Sequence, residues 1–569
     1  MPWDEYKRIQ DLISEETNLV SVKNFKSVPI NIALVYPNSY MLGMSNLGFQ
    51  SIYEKINSRC DSLCHRAFFS YGKNDISAAT IEASQPIQVY DIVGFSVSFE
   101  MDYINVLGML DKSNIPLLAK DREKPIVMAG GPAVTFNPEP LSPFIDFFVI
   151  GEGEEVIEEI IETYNDLKDL PKKEILEGLS KIQGVYVPSL YKIYYEDTPK
   201  KDIKVETSAI YPINKRWVRD LDEVKTETVV LTPKTEFGNM FLLEVSRGCG
   251  RNCRFCMAGY CYRVPRVRSL EKIIERAEHG KRFNKKLGLV GAAISDYPYI
   301  DQLTQYFIDN DIQFSVSSLR ADSLTETLVQ GLAMSGHRTL TIAPDAASQR
   351  IRDIINKGIT EQHIFDSILL SQYFGINNIK LYFIIGLPTE EDRDIDEMID
   401  FLIRVKEFMK CKGNKSGKLS ISINPFIPKP FTPFQWLGME DVKTLNDKIK
   451  KIKSRLKPAG IRVIFESPRL SEIQAALARG DRRTGMLLYD VYKKGSSSSA
   501  FKKAEIDGKG IDFFAHRQFE KSQDLPWNHL NIGLDKKFFL TEYERAKKGQ
   551  HTRRCTKEIC NTCKICTMK

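Results

Sequence analysis

What this 569-residue chain lacks narrows its identity first. No run approaches the roughly 18 consecutive apolar residues of a membrane helix, and the opening MPWDEYKRIQDLISEE has no apolar signal-peptide core. A cytoplasmic location with no membrane partner is therefore expected. Neither charge sign dominates: 80 Lys and Arg face 74 Asp and Glu, a net of +6. Bulk charge is thus weak evidence for any polyanionic partner. There is no repeat of fixed period. The one low-complexity patch, KKGSSSSAFKK at 493–503, reads as an exposed loop. In a reducing compartment the 11 cysteines are not expected to form structural disulfides.

What is present is organised. The length exceeds a single core and predicts three or four domains. NIALVYP (31–37), DIVGFSVS (91–98), PIVMAGG (125–131) and IDFFVIGEGE (145–154) have the continuous apolar character of buried parallel strands. Several run into glycine-rich turns, where open α/β sheets bind ligands. They predict a doubly wound domain over 30–205, after an N-terminal segment 1–29 and before a connector 206–235. Six further strand-like runs follow, beginning at 240, 287, 312, 338, 378 and 418. Helical stretches separate them, such as SLEKIIERAEHG with Ser269 as its N-cap. Six βα units predict a partial (β/α)6 barrel over 236–470. Residues 471–569 form a polar, helical extension ending in RRCTKEICNTCKICTMK.

Seven cysteines fall in two tight clusters, which argues for metal or iron–sulfur ligation. Cys249, Cys253 and Cys256 stand as C-x3-C-x2-C directly after the first barrel-like strand, at the mouth where barrels of this class place their chemistry. Three thiolates can hold three irons of a cubic cluster and leave the fourth open as a binding position, as a catalytic zinc keeps one free site. Completion of a zinc site by Cys261 is the rival.

CGRNCRFC resembles the C-x3-C-x2-aromatic-C signature of the radical S-adenosylmethionine (SAM) superfamily, with Phe255 at the aromatic position. The resemblance implies a 4Fe-4S cluster that chelates SAM and cleaves it reductively to methionine and a 5′-deoxyadenosyl radical. It also implies the roles of later strand ends. Gly291 and Ala292 would lie at the SAM amino group, although the family's glutamate is absent there. Ser317 and Arg320 would meet the ribose or carboxylate. Asp345 would contact ribose where the family usually has glutamate, and Gly386 would pack on adenine.

DIVGFSVSFEMDYINVLGML and PIVMAGGPAVTFNPEPLSPFIDFFVIGEGEE resemble the cobalamin-binding domains fused to one large class of these enzymes. Gly130 and Gly131, and the turn carrying Gly151 and Gly153, would allow close approach of a corrin. The D-x-H-x-x-G ligand motif is missing, and His65 is the one histidine in the domain. Whether cobalamin is bound stays open. Cys555, Cys560, Cys563 and Cys566 fit a second closed 4Fe-4S cluster or a zinc knuckle, separate from the first site. Over nearly its whole length the chain resembles a widespread, poorly characterised bacterial radical SAM family.

The leading expectation is a radical SAM transferase, a cobalamin-dependent methyltransferase acting on an unactivated centre if the corrin is present. The alternatives are radical SAM modification of RNA or a ribosomal component without cobalamin, and a non-catalytic iron–sulfur or zinc protein that binds nucleic acid. An electron donor such as flavodoxin or ferredoxin is the implied partner.

Overall fold

The computed structural model describes residues 3–71, 76–195, 204–283, 285–411 and 417–555, together with Cys563 and Ile565. They form two compact units. The first takes in the chain to Met240, then 476–515 and 519–533; the second comprises Phe241–Ala475, His516–Gln518 and the chain from Leu534. Residues 471–569, expected as one extension, are thus divided between the units. Residues 206–235, expected as a connector, are built into the first unit. Ile213–Asn214 pair with Leu530–Asn531, and Val230–Leu231 with Thr17–Asn18. Among the described residues no helix is long and apolar enough to cross a membrane.

The first unit is built on strands β1 (Ile30–Ser39), β2 (Ser62–Ser70), β3 (Ile92–Ser96), β4 (Ile126–Gly130), β5 (Phe147–Val149) and β6 (Val185–Tyr186). Their order is β2-β1-β3-β4-β5-β6, parallel throughout except for β6. Alternate residues Ile30, Ile32, Leu34 and Tyr36 of β1 pack with helices α1 (Leu47–Asn57) and α3 (Val156–Leu167). Helix α2 (Tyr103–Lys112) lies against β1, and the returning helix Arg482–Lys493 packs on α2. This is the doubly wound arrangement expected. Its topological switch falls between β1 and β3, where strand ends diverge and open a crevice.

The second unit alternates β7 (Met240–Glu244), α4 (Leu270–Lys281), β8 (Lys286–Val290), α5 (Ile300–Asp309), β9 (Phe314–Ser315), α6 (Glu326–Met334) and β10 (Thr339–Asp345). It continues through α7 (Gln349–Ile354), α8 (Glu361–Tyr373), β11 (Asn378–Ile385), α9 (Asp392–Cys411), β12 (Leu419–Pro425), α10 (Val442–Leu456) and β13 (Arg462–Phe465). Strands β7, β8 and β9 form one sheet and β10 to β13 another. A parallel bridge between Leu319 and Ile342 joins them. The partial barrel therefore has seven strands. The sequence reading missed β13, which is short and alternates exposed with half-buried residues at the sheet edge. Strands β11 and β12 alternate buried with half-exposed residues, so one face is covered by helices while Lys380, Tyr382, Ser420 and Ser422 line the other. Ser269 caps α4 as expected, its hydroxyl accepting from the Lys272 amide.

Candidate functional site

The cysteine loop leaves the end of β7. Ser246 and Arg247 pair antiparallel with Val267 and Arg266, closing the loop at its base. Within it the amide of Cys256 donates to the Cys253 carbonyl at 3.0 Å, and that of Cys261 to the Met257 carbonyl at 2.9 Å. These turns place the three thiols of Cys249, Cys253 and Cys256 beside one another, each close enough to feel the charge of another. Burial raises the Cys249 thiol and pushes Cys256 up to about 12, and the neighbouring thiols add to both shifts. A crowded set of thiols, Cys253 buried and Cys249 and Cys256 half-buried, becomes a set of thiolates only when a cationic group supplies the missing positive charge. The donor chemistry therefore fits an iron–sulfur cluster. Among the described residues no three His, Cys, Asp or Glu side chains converge as ligands of one metal ion. Three thiolates on three separate irons stand wider apart than that. Cys261 is fully buried.

The two arginines interleaved with the cysteines answer to different parts of the fold. Arg251 bridges Asp296 and Asp322, at the ends of β8 and β9. Arg254 is fully buried. Its guanidinium donates to the carbonyls of Ile354 at 2.8 Å and Gln550 at 2.5 Å, to the Thr552 hydroxyl, and to Glu542. Phe255 packs on an apolar cluster of Ile354, Leu387, Phe426 and Ala546.

Three of the expected strand-end residues reach this loop. Arg320 Nη1 lies 4.0 Å from Cys253 Sγ, and its Nη2 donates to the Lys357 carbonyl at 2.7 Å. Asp345 adopts a left-handed φ of 64° at a bulge between β10 and β11. Its carboxylate holds Lys357 Nζ at 2.5 Å. Burial opposes the charge on Lys357, but Asp345 and then Cys253 outweigh it and hold the ammonium above its ordinary range. Gly291 lies at the loop's root, where a first side-chain carbon would stand 2.5 Å from Ser246 Oγ. Ala292 and Ser317 are exposed. Lys357 escaped the sequence reading because a lysine beside the turn glycine Gly358 looks like an ordinary helix ending.

Gly386, at the end of β11, borders a cavity of about 240 Å³ with Ile354, Pro388, Phe426, Phe434 and Tyr543. Helix α11 (Lys536–Lys547) contributes to its wall. The Gly386 amide donates to Glu390, which is held by Lys448.

The tail is laid directly on the cysteine loop. The Cys555 amide donates to the Gly250 carbonyl at 2.7 Å, and Asn252 Nδ2 donates to the Arg553 carbonyl at 2.7 Å. Asn356 and Thr552 exchange two further bonds. Cys555 and Cys563 are buried beside Arg263, whose guanidinium donates to Asn252 Oδ1. Cys560 and Cys566 lie outside the described residues. The separation expected between the two cysteine groups does not extend to their surroundings, which share a wall.

In the first unit the expected cofactor glycines meet their own chain. A side-chain carbon at Gly131 (φ 107°) would stand 2.6 Å from the Val97 carbonyl oxygen, and one at Gly151 (φ 113°) would stand 2.1 Å from that of Arg216. Gly153 abuts Ile52, and Gly130 has ordinary contact with Val149. His65 is buried, its ring bonded to the Tyr90 hydroxyl at 2.7 Å and the Lys23 carbonyl at 3.1 Å. Glycine at 131, 151 and 153 is thus required by the packing of the chain itself. The switch-point crevice instead carries groups the sequence reading passed over. Asn38 Nδ2 donates to Asp102 at 2.6 Å, and Asn46 to the Ser98 hydroxyl. Burial drives the Asp102 carboxyl up to about 7, with Asn38 opposing.

A seven-stranded parallel half-barrel with a three-thiol loop at its mouth defines a SAM-cleaving iron–sulfur class. The chain belongs to the radical SAM superfamily. Family profiles described as "Radical SAM proteins, N-terminal" and "Radical SAM superfamily" match residues 48–188 and 243–402. Uncharacterized protein MJ0966 of Methanocaldococcus jannaschii is 32% identical over 493 residues, 85% of this chain and 96% of that one. Uncharacterized methyltransferase PH0819 of Pyrococcus horikoshii is 27% identical over 55% of this chain and 66% of its own. Ribosomal protein uS12 methylthiotransferase RimO of a Hydrogenobaculum species is 24% identical over 40% and 59%. The solved cobalamin-dependent SAM radical enzyme OxsB aligns over 92% of this chain and 79% of its own, at 15% identity and a TM-score of 0.46.

Proposed function

We propose that this radical SAM enzyme is a transferase that places a methyl or methylthio group on RNA or a ribosomal component. The observation that carries the reaction is the loop itself: Cys249, Cys253 and Cys256 side by side, with the cations Arg320 and Lys357 against Cys253. A 4Fe-4S cluster held there would supply the electron that splits SAM. Arg320 and Lys357 would hold negative charge at the mouth, whether of thiolate or of the SAM carboxylate. Asp345 keeps the Lys357 ammonium aimed at the loop. The apolar cavity at Gly386 would take the adenine.

The group transferred is supported by the methyltransferase and methylthiotransferase names of the relatives. The substrate class is supported by α10 and β13, where Lys443, Lys450, Lys453, Arg455, Lys457 and Arg462 are exposed. Among the described residues none of these six meets an acidic partner. Such a row of cations suits a phosphate backbone.

The test has two arms. Anaerobically reconstituted full-length protein with SAM and dithionite should release 5′-deoxyadenosine; none at all would sink the reaction. Mass spectra of RNA nucleosides and ribosomal proteins from a deletion strain should lack one modification present in the parent. Identical spectra would sink the substrate class.

A further inference from the structure

We infer that the tail segment 547–554 forms the docking rim for an acidic, one-electron carrier protein that reduces the group at the cysteine loop. The inference rests on the SAM-cleaving reading, which requires an electron to arrive from outside the chain.

The fold decides where such a carrier can approach. On its inner side the cysteine loop is walled by the strand ends of β8 to β10, through Asp296, Asp322 and Asp345. Behind it the apolar cluster around Phe255 fills the space. Along its remaining edge lies the tail, fixed by the main-chain bonds from Asn252 to Arg553 and from Cys555 to Gly250. On the tail's side those bonds use main-chain groups of Arg553 and Cys555, while the Thr552 hydroxyl turns inward to Arg254 and Glu542. Lys547, Lys548, His551, Arg553 and Arg554 are all exposed.

Two of these five are unpaired among the described residues. Lys548 and Arg553 meet no acidic partner among the described residues, and Arg554 reaches Asp296 at only 4.0 Å, an acid already bound by Arg251. Lys547 is paired with Glu544, and His551 with Asp353. Unpaired cations around the edge of a redox site raise the rate of encounter with an acidic partner and make that rate salt-dependent. The polyanion-type face lies on a different element, α10, so the rim is not needed for that role. In the encounter the carrier would lose one electron and be oxidised, and the iron–sulfur group that Cys249, Cys253 and Cys256 would hold would gain it. No bond is made or broken in that step.

The test compares two reductants on the reconstituted full chain: dithionite, and an acidic flavodoxin kept reduced by its reductase and NADPH. Lys548→Glu/Arg553→Glu should lower flavodoxin-driven 5′-deoxyadenosine formation about tenfold at low salt, the scale of losing electrostatic steering. Dithionite-driven formation should stay at the wild-type rate. The neutral pair Lys548→Gln/Arg553→Gln should fall between. In the wild type, 0.5 M salt should remove most of the flavodoxin advantage. Equal flavodoxin-driven rates in wild type and charge-reversed protein overturn the proposal. So does a parallel fall with both reductants, which would mean a disturbed site. Loss of RNA binding with an unchanged flavodoxin rate would overturn it in favour of a polyanion. Absence of product from wild type with dithionite would instead bring down the SAM-cleaving reading, and this proposal with it.

Discussion

Lys357 Nζ sits 2.5 Å from Asp345 Oδ2, and this buried pair stands against Cys253. Asp345 ends β10 and Lys357 follows the C-terminal end of α7, and Asp345 reaches its partner from a left-handed backbone conformation. Strain of this kind costs of order 1–3 kcal/mol and persists where surrounding structure enforces it. Lys357→Ala leaves a buried carboxylate unpaired and should destabilise the second unit by about 3–5 kcal/mol. The double change Asp345→Asn/Lys357→Met should cost much less than either single change. Equal or additive losses in urea unfolding would show that the pair is not coupled.

Replacing Cys249, Cys253 and Cys256 together with alanine should remove about four irons per chain, as a three-thiolate cubane implies. SAM cleavage should vanish with them. Iron analysis and product assay of the anaerobically reconstituted variant check this, and retained cleavage would contradict it.

Truncation after Gly549 should impair the first cysteine loop as well as the tail. It removes the acceptors used by Asn252 and Arg254 and both bonds of Asn356 to Thr552. Each buried donor left unmatched costs about 1–3 kcal/mol. Lower iron content and weaker SAM cleavage than the full chain are expected. Unchanged cleavage would mean that the shared wall is dispensable.

Arg254→Lys should mimic part of that truncation. One ammonium cannot reach the Ile354 and Gln550 carbonyls, the Thr552 hydroxyl and Glu542 that the planar guanidinium spans. Faster proteolysis beyond residue 549 in the variant is the measurement. An unaltered cleavage pattern would argue against Arg254 as the tail's anchor.

Asp102 gives a pH prediction for the first unit. Its carboxyl is raised to about 7 in the folded chain, chiefly by burial, from an ordinary value near 3.8. The folded state then favours the proton. Its contribution is fully present below about pH 4 and is lost as pH rises through about 7, so stability should fall across that window. Asp102→Asn keeps the bond to Asn38 and should flatten that part of the profile. Parallel pH profiles in chemical denaturation would refute the assignment.

Much of the fold was written in local pattern. Continuous apolar runs ending in glycine specify buried parallel strands whatever lies elsewhere, and so four of the six strands of the doubly wound sheet and six of the seven barrel strands were legible, whereas Ser62–Ser70, with His65 and Arg66 in its middle, was not. β13 was not, because an edge strand with one covered face carries half the apolar signal. The glycines of the first unit illustrate the opposite limit. A sequence says that Gly131 and Gly151 need room, but only the packed chain reveals that Val97 and Arg216 take it.

By itself the sequence determined which thiols come together: C-x3-C-x2-C is a contiguous motif, so Cys249, Cys253 and Cys256 share one short loop. Only tertiary structure decided what surrounds it. Lys357, Arg320 and the tail at 550–555 lie between 64 and about 300 residues from the motif, and no local pattern links them to it. Their placement depends on the order in which parallel strands close and on where the buried guanidinium of Arg254 finds its acceptors. A buried charge takes its partners from whatever part of the chain packing brings within reach, and sequence distance does not measure that.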